Sequence, residues 1–350
     1  DVLMTLGLRR HASRGQASRP AFRSARKYDV SPSIAPILDA TSMPSYQPPF
    51  DLTHRMTALM AGIAEQLGAW KAANSSGLGP ELRRGNRIRT LQASLAIEQN
   101  TLSVEQVTAV LDGKSVLGSP QEILEVRNAN LAYEAIGRWE PHCLDHLLEA
   151  HRLLMTGLVD HPGQLRTGDV GIWRGGKLLH MAPPASRVAV LVGQLLDWQQ
   201  ATDAHPLVAS AAFHYEFEFI HPFADGNGRM GRLWQTVILS RWQAVLGWLP
   251  VETVIRHRQQ EYYAELARAD AASDCTGFIE FMLQAIADSL DEAIAAESSV
   301  QTPVETPVER RKRTPEAILS ALRGQPELAL AEVAQTIGRS LRTVERSAAK

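Results

Sequence analysis

From Pro49 onward, apolar residues recur at helical spacing, which leaves little of this chain free to build a sheet. Leu52, Met56, Leu59, Met60 and Ile63 stand three or four residues apart and define one face of a helix. The same texture predicts helices over 82–97, 122–136, 145–155 and 188–200, an apolar helix over 233–248 and a last large helical region over 258–295. Strand signals are scarce. The best runs from Val170 to Met181, where Ile172-Trp173 and Lys177-Leu178-Leu179 flank Arg174-Gly175-Gly176 as a hairpin turn, and Pro183-Pro184 stops it. The expectation is an all-α chain carrying one small β-hairpin.

With 350 residues, the chain has room for two or three domains. Its formal net charge of −2 gives no bulk attraction to nucleic acid or anionic membrane, so any basic site has to be local. The two cysteines, Cys143 and Cys275, lie far apart with no CxxC spacing. They indicate neither a zinc site nor a disulfide framework, and a reducing cytoplasm is the expected compartment. No apolar run approaches a membrane span, so no membrane partner is expected.

Composition and spacing divide the chain into a disordered extension over 1–45, a mostly helical stretch over 46–295, a linker over 296–313 and a small helical module over 314–350. The extension is rich in Arg, Ser and Ala and poor in acids, like a transit peptide, but composition favours plain disorder, with Met43 opening more ordinary sequence. The linker repeats TPVE twice among charges, as a solvated segment does.

The chemistry concentrates in HPFADGNGRMGR, residues 221–232, placed just before a strongly apolar helix. Small residues let a backbone approach a ligand closely, and unpaired N–H groups at a helix start bind phosphate. A carboxylate such as Asp225 can hold Mg²⁺ already bridged to phosphates, and Arg229 and Arg232 can grip phosphates bidentately. His221 suits proton abstraction from a hydroxyl near neutral pH, and Asn227 can donate to charge developing on phosphorus. Gly226, Gly228 and Gly231 also spell GxGxxG, and FHYEFEFI ahead of them alternates as a strand would. Yet five residues separate that segment from the first glycine, whereas a dinucleotide loop needs its glycines directly after the strand. Val208, Ala211, Ala212, Tyr215 and Phe219 fit a helix face, and Pro206 suits a first helical turn. A plain capping loop would explain Asp225 and one glycine but would leave Asn227 and both arginines unexplained.

Taken together, His221, Phe223, Asp225, Gly226, Asn227, Gly228, Arg229 and Arg232 resemble the HxFx(D/E)GNGRxxR signature of the Fic family, and the resemblance spans about residues 46 to 295. It implies an all-α Fic/Fido helical fold with a small β-hairpin flap, divided into an N-terminal helical region over 46–140 that carries an inhibitory helix and a catalytic domain over 141–295. It also implies a protein adenylyltransferase that moves AMP from Mg·ATP to a Ser, Thr or Tyr hydroxyl of a target protein and releases pyrophosphate. On that resemblance His221 is the general base and Asp225 the Mg²⁺ ligand. The nucleotide-binding set is Asp225, Gly226, Asn227, Gly228, Arg229, Met230, Gly231 and Arg232, with Tyr262 and Tyr263 near the adenine; two aromatics simply packing in a helix is the competing reading of that pair. The hairpin resembles the flap that aligns a target by strand pairing. Ser94-Leu-Ala-Ile-Glu98 resembles the family's self-inhibition helix, which implies that Glu98 pairs with Arg232 in place of a phosphate. Gln99 departs from the Gly or Asn of that element, which puts the helix end in question. The same site run in reverse, removing AMP from a modified protein, a nucleotide-sensing regulator, and donors such as UTP or a choline-bearing nucleotide all stay open. A homodimer controlling access to Glu98 is a further implication of the family.

Residues 314–350 predict helix, turn, helix, with Thr314-Pro315 as a helix start. On the third helix Arg339, Arg342, Arg346 and Lys350 share a basic arc opposite Leu341, Val344 and Ala348, as a recognition helix requires. The module resembles a winged helix-turn-helix whose wing is absent, and its partner is DNA or another protein.

Overall fold

The computed structural model describes residues 46–73, 78–174, 177–301, 315, 317–323, 327–338 and 340–348. The chain divides into two compact units, Asp1–Ile294 and Ala295–Lys350. The expected extension over 1–45 and most of the linker lie outside the described residues.

The larger unit is built from helices α1 (His54–Ala73), α2 (Pro80–Ile97), α3 (Val104–Leu111), α4 (Pro120–Ala135) and α5 (Leu144–Met155), followed by strands β1 (Gly171–Arg174) and β2 (Lys177–Met181). Helices α6 (Ala185–Ala201), α7 (Pro206–Ile220), α8 (Asn227–Trp242), α9 (Val251–His257) and α10 (Gln259–Ala272), with α11 (Thr276–Gln301) as far as Ile294, complete it. Local chemistry sets several of these boundaries. Ser103 and Ser119 close capping boxes with Gln106 and Glu122 at the starts of α3 and α4. Proline opens α2, α4 and α7, where its missing N–H costs no helical bond.

The hairpin is antiparallel, pairing Gly171 with Met181, Ile172 with His180, Trp173 with Leu178 and Arg174 with Lys177, and a bulge lies between Ile172 and Trp173. Gly175 and Gly176 of the expected turn lie outside the described residues. The residues FHYEFEFI are helical within α7, so the strand that a dinucleotide loop would need is not there. Helix α7 packs on α8, and both are wrapped by the rest of the unit: Phe213, Phe217, Phe223, Leu233 and Trp234 are 0% exposed. Burying each such aromatic contributes roughly 1.5–3 kcal/mol, and this core fixes where α8 begins.

The helix expected over 233–248 ends earlier. Gln243 turns extended (φ −139°, ψ 106°) and Ala244–Trp248 is a 3₁₀ turn. The region over 258–295 is likewise two helices, broken where Ser273 turns left-handed at φ 51°. Helices α3 and α9 were not foreseen, and Leu52 lies ahead of α1 and is 68% exposed.

The smaller unit contains a helical stretch over 317–323 (α12), then α13 (Leu330–Thr336) and α14 (Leu341–Ala348), around Ile318, Val333, Ala334 and Val344. On α14, Val344 faces that core, but Leu341 is 42% exposed and Ala348 is also exposed, so the apolar side is narrower than the wheel implied. Arg342 and Arg346 are exposed; Arg339 and Lys350 lie outside the described residues. Among the described residues, no helix is long and apolar enough to cross a membrane.

Candidate functional site

Helix α7 stops because His221 turns left-handed (φ 49°, ψ 60°), its N–H still donating to Phe217 O at 2.9 Å. For a residue with a Cβ that conformation costs about 1–2 kcal/mol, and it persists only where the surroundings impose it. The Nδ1 of His221 lies 3.4 Å from Glu218 O. A carbonyl can only accept, so Nδ1 carries the proton and Nε2 presents its lone pair. The loop then runs to Gly226 at φ 84°, the N-cap of α8. A Cβ on Gly226 would also meet Met155 Sδ at 2.7 Å, so both conformation and space require glycine there.

Three side chains hold this loop by its backbone. Asn227, 2% exposed, accepts from Phe223 N and donates to Phe223 O, both at 2.9 Å. Its amide is therefore a brace across the loop, a role that uses one of its two N–H donors. His151 stacks on Phe223 (3.6 Å between ring centroids, 3° between planes), accepts from Gly163 N at 2.8 Å through Nδ1, and so donates Nε2–H to Asp225 O at 3.0 Å. Burial pushes the His151 pKa down to about 4, which keeps the ring neutral and this bonding pattern intact. Arg166, 6% exposed, gives Nε to His221 O at 2.7 Å and reaches Ile220, Gly168 and Pro183 carbonyls as well.

The first intrahelical bond of α8 is Met230 N to Gly226 O at 3.0 Å, so the amides of Asn227, Gly228 and Arg229 have no carbonyl within the helix to reach. Three such donors at the positive end of the helix dipole make an anion site. A carboxylate stands over it. Glu98 Oε1 accepts from Arg232 Nη2 at 2.8 Å, and a Cβ placed on Gly228 would overlap that same oxygen. Arg232 is further fixed by Ser94, through Nε to Oγ and Nη2 to the carbonyl, each at 3.0 Å. The predicted pair of Glu98 and Arg232, with Ser94 beside it, is thus assembled in space.

Glu98 gets there because it caps the C-terminal end of α2. Gln99 is left-handed (φ 71°), Gln99 N reaches Ala96 O at 3.1 Å and Asn100 N reaches Leu95 O at 3.1 Å, a Schellman-type close. The question raised by Gln99 is answered: the helix end forms with glutamine in a position that favours glycine. Beyond it, Asn100 Nδ2 donates to Glu125 Oε2 at 2.8 Å, and Thr101 donates to Glu122 from both N and Oγ1 at 2.7 Å. Those bonds from Thr101, with Ser119, pull the Glu122 pKa down to about 2. Helix α4 thereby anchors the end of α2.

Arg229 is 7% exposed and its Nη2 lies 3.5 Å from both oxygens of Asp225, with Nη1 3.7 Å from Glu125 Oε1. The Asp225 side chain is 61% exposed. Among the described residues, no three His, Cys, Asp or Glu side chains cluster to hold a metal. A lone exposed carboxylate still fits Mg²⁺, which takes one or two carboxylates and completes its shell with phosphate and water. Met230 is 0% exposed in the core, and a Cβ on Gly231 would meet His214 Cδ2 at 2.9 Å. Both are packing positions, so a role toward nucleotide is left to their backbone. Tyr262 is 1% exposed and hydrogen-bonds to His214 Nε2 at 3.1 Å, which assigns it to the core as the packing reading held. Tyr263 is half-buried beside Gln259, whose Nε2 donates to Ile97 O at 3.1 Å, so it stands next to the end of α2.

His151, Arg166 and Glu125 were missed in the sequence. A histidine on the buried face of α5 was the one available signal; nothing local distinguishes Arg166 or Glu125.

Residues 141–239 match the model of the Fic/DOC family. A Fic family protein from Desulfovibrio desulfuricans G20 is 53% identical, its crystal structure superposing with a TM-score of 0.71 over 86% of this chain and 89% of that one. The protein adenylyltransferase Fic of Aedes aegypti is 31% identical over 231 residues, covering 62% of this chain and 44% of the relative. The protein adenylyltransferase fic-1 of Caenorhabditis briggsae is 32% identical over 218 residues, covering 58% of this chain and 40% of the relative. The chain thus spans less than half the length of these curated relatives. With a relative of that identity aligned over most of both chains, and with the motif assembled around the start of α8, this chain belongs to the Fic family.

Proposed function

We propose that the larger unit is a protein adenylyltransferase held in check by Glu98. The observation that carries this reading is a carboxylate bound to Arg232 over the first-turn amides of α8, with His221 at the end of α7 carrying its proton on Nδ1, which makes Nε2 the basic nitrogen. In the working state the phosphates of ATP replace that carboxylate on the α8 amides and on Arg232, and Arg229 leaves Asp225 for phosphate. His221 Nε2 then takes the proton of a Ser, Thr or Tyr hydroxyl on a target protein. The hydroxyl oxygen bonds to the α-phosphorus, the bond from that phosphorus to the bridging oxygen breaks, and pyrophosphate departs with the electron pair. Mg²⁺ held by Asp225 would neutralise phosphate charge. While Glu98 occupies the outer-phosphate position, ATP binds with its phosphates out of line for attack. The relatives' names support ATP as donor.

The test is incubation of wild type, Glu98→Gly and Glu98→Gly/His221→Ala with Mg²⁺ and ATP labelled at the α-phosphate. Strong label on protein in Glu98→Gly alone is the expected result. Absence of label in every variant would sink the transferase reading. Within the same proposal, the smaller unit docks DNA through Arg342 and Arg346, and a homodimer gates Glu98. Binding of a DNA duplex that survives Arg342→Ala/Arg346→Ala would remove the first of these, and a monomer by sedimentation the second.

A further inference from the structure

Arg166 precedes the hairpin by five residues and belongs to neither α7 nor α8, yet its one guanidinium reaches both ends of the catalytic apparatus. Nε donates to His221 O at 2.7 Å and Nη2 to Ile220 O at 3.2 Å, at the left-handed turn that ends α7. Nη1 donates to Gly168 O at 2.9 Å and Nη2 also to Pro183 O at 2.5 Å. Gly168 lies just before β1 and Pro183 just after β2, so these two bonds hold the two roots of the hairpin. The backbone of Arg166 adds a fifth bond, its N–H to Pro222 O at 2.9 Å. Around it the hairpin base is closed by Ala182 N to Val170 O at 3.2 Å, and Asp169 Oδ1 accepts from Ala185 N at 2.9 Å at the start of α6.

Within the adenylyltransferase reading, on which this rests, we infer that Arg166 is the positioning residue that sets the register between the hairpin and His221. A target segment laid along β1 or β2 would be referenced through Gly168 and Pro183 to Arg166, and through Arg166 to the carbonyl of the base. Without that clamp His221 also loses the contact that imposes its left-handed backbone, and the Nε2 lone pair is no longer fixed in direction. Only a planar fork with five N–H donors spans four carbonyls in this way; the compact lysine ammonium cannot.

The experiment compares Glu98→Gly with Glu98→Gly/Arg166→Lys and Glu98→Gly/Arg166→Met in the full chain, by three readouts. Labelling from α-labelled ATP is expected to fall about a hundredfold in both Arg166 variants. The thermal shift produced by Mg·ATP is expected to be kept, because Arg166 touches none of the α8 amides. Amide hydrogen exchange over 171–174 and 177–181 is expected to accelerate while exchange in α8 stays protected. Labelling at the Glu98→Gly rate, or hairpin exchange unchanged, overturns the inference. If the Met variant is unfolded by circular dichroism, the Lys variant decides. If Glu98→Gly itself transfers no label, the transferase reading fails, and hairpin exchange still decides whether Arg166 sets the register.

Discussion

At the scale of single residues, the proposed restraint rests on one ion pair, between Glu98 and Arg232. The Arg232 side chain is 1% exposed, so removing Glu98 leaves a buried guanidinium hydrogen-bonded, among the described residues, to Ser94 alone. Breaking such a pair costs roughly 3–5 kcal/mol when nothing replaces it. Glu98→Gly should therefore melt several degrees below wild type without ligand and show the larger upward shift with Mg·ATP, because phosphate then supplies the missing charge. Equal shifts in a dye-monitored melt would mean that Glu98 does not stand where phosphate binds. The residues of this pair were legible because the motif is a run of functional side chains at fixed spacing. His151 and Arg166 were not, because they act on backbone carbonyls 74 and 55 residues away, and sequence does not display carbonyls.

At the scale of elements, one left-handed residue and one close approach decide geometry. Gln99 closes α2 in a left-handed conformation that glycine adopts without a Cβ penalty. Gln99→Gly should stabilise the unit by about 0.5–1 kcal/mol in urea denaturation, less whatever glycine adds to the entropy of the unfolded chain; destabilisation instead would mean that the glutamine side chain holds the turn. Gly231 is where α8 presses on α7, with His214 fixed between Gln235 and Tyr262. Gly231→Ala has no room and should cost about 1–3 kcal/mol in the same assay. Helix periodicity made most of α1 to α11 legible, and the flanking pattern located the hairpin. The breaks after Trp242 and at Ser273 were not visible, since apolar spacing continues across both and tertiary packing decides where the helix stops.

At the scale of the whole molecule, buried titratable groups set how the larger unit responds to acid. Burial lowers the His214 pKa to about 3 and the His151 pKa to about 4. Below the unfolded value of about 6.5, the unfolded chain takes up protons that these folded sites refuse, so stability falls as pH drops from there. Glu216 runs the other way: burial raises it to about 7, so the folded state keeps a proton that the unfolded chain releases above about 4.5. Burial also raises Glu252 and lowers His205, so three histidines stand against two glutamates, and the urea midpoint should decline between pH 6.5 and 5. His214→Gln should decline less steeply; an unchanged slope would show that His214 is not the neutral, buried group described. Composition could bound the number of domains, but a histidine's burial is set by the assembled core. The measurement that bears most directly on the central claim is the intact mass of Glu98→Gly after incubation with Mg·ATP. A gain equal to one adenylate residue, absent from Glu98→Gly/His221→Ala, is the predicted result. An unchanged mass, or a gain of a single phosphate, would contradict AMP transfer at this site.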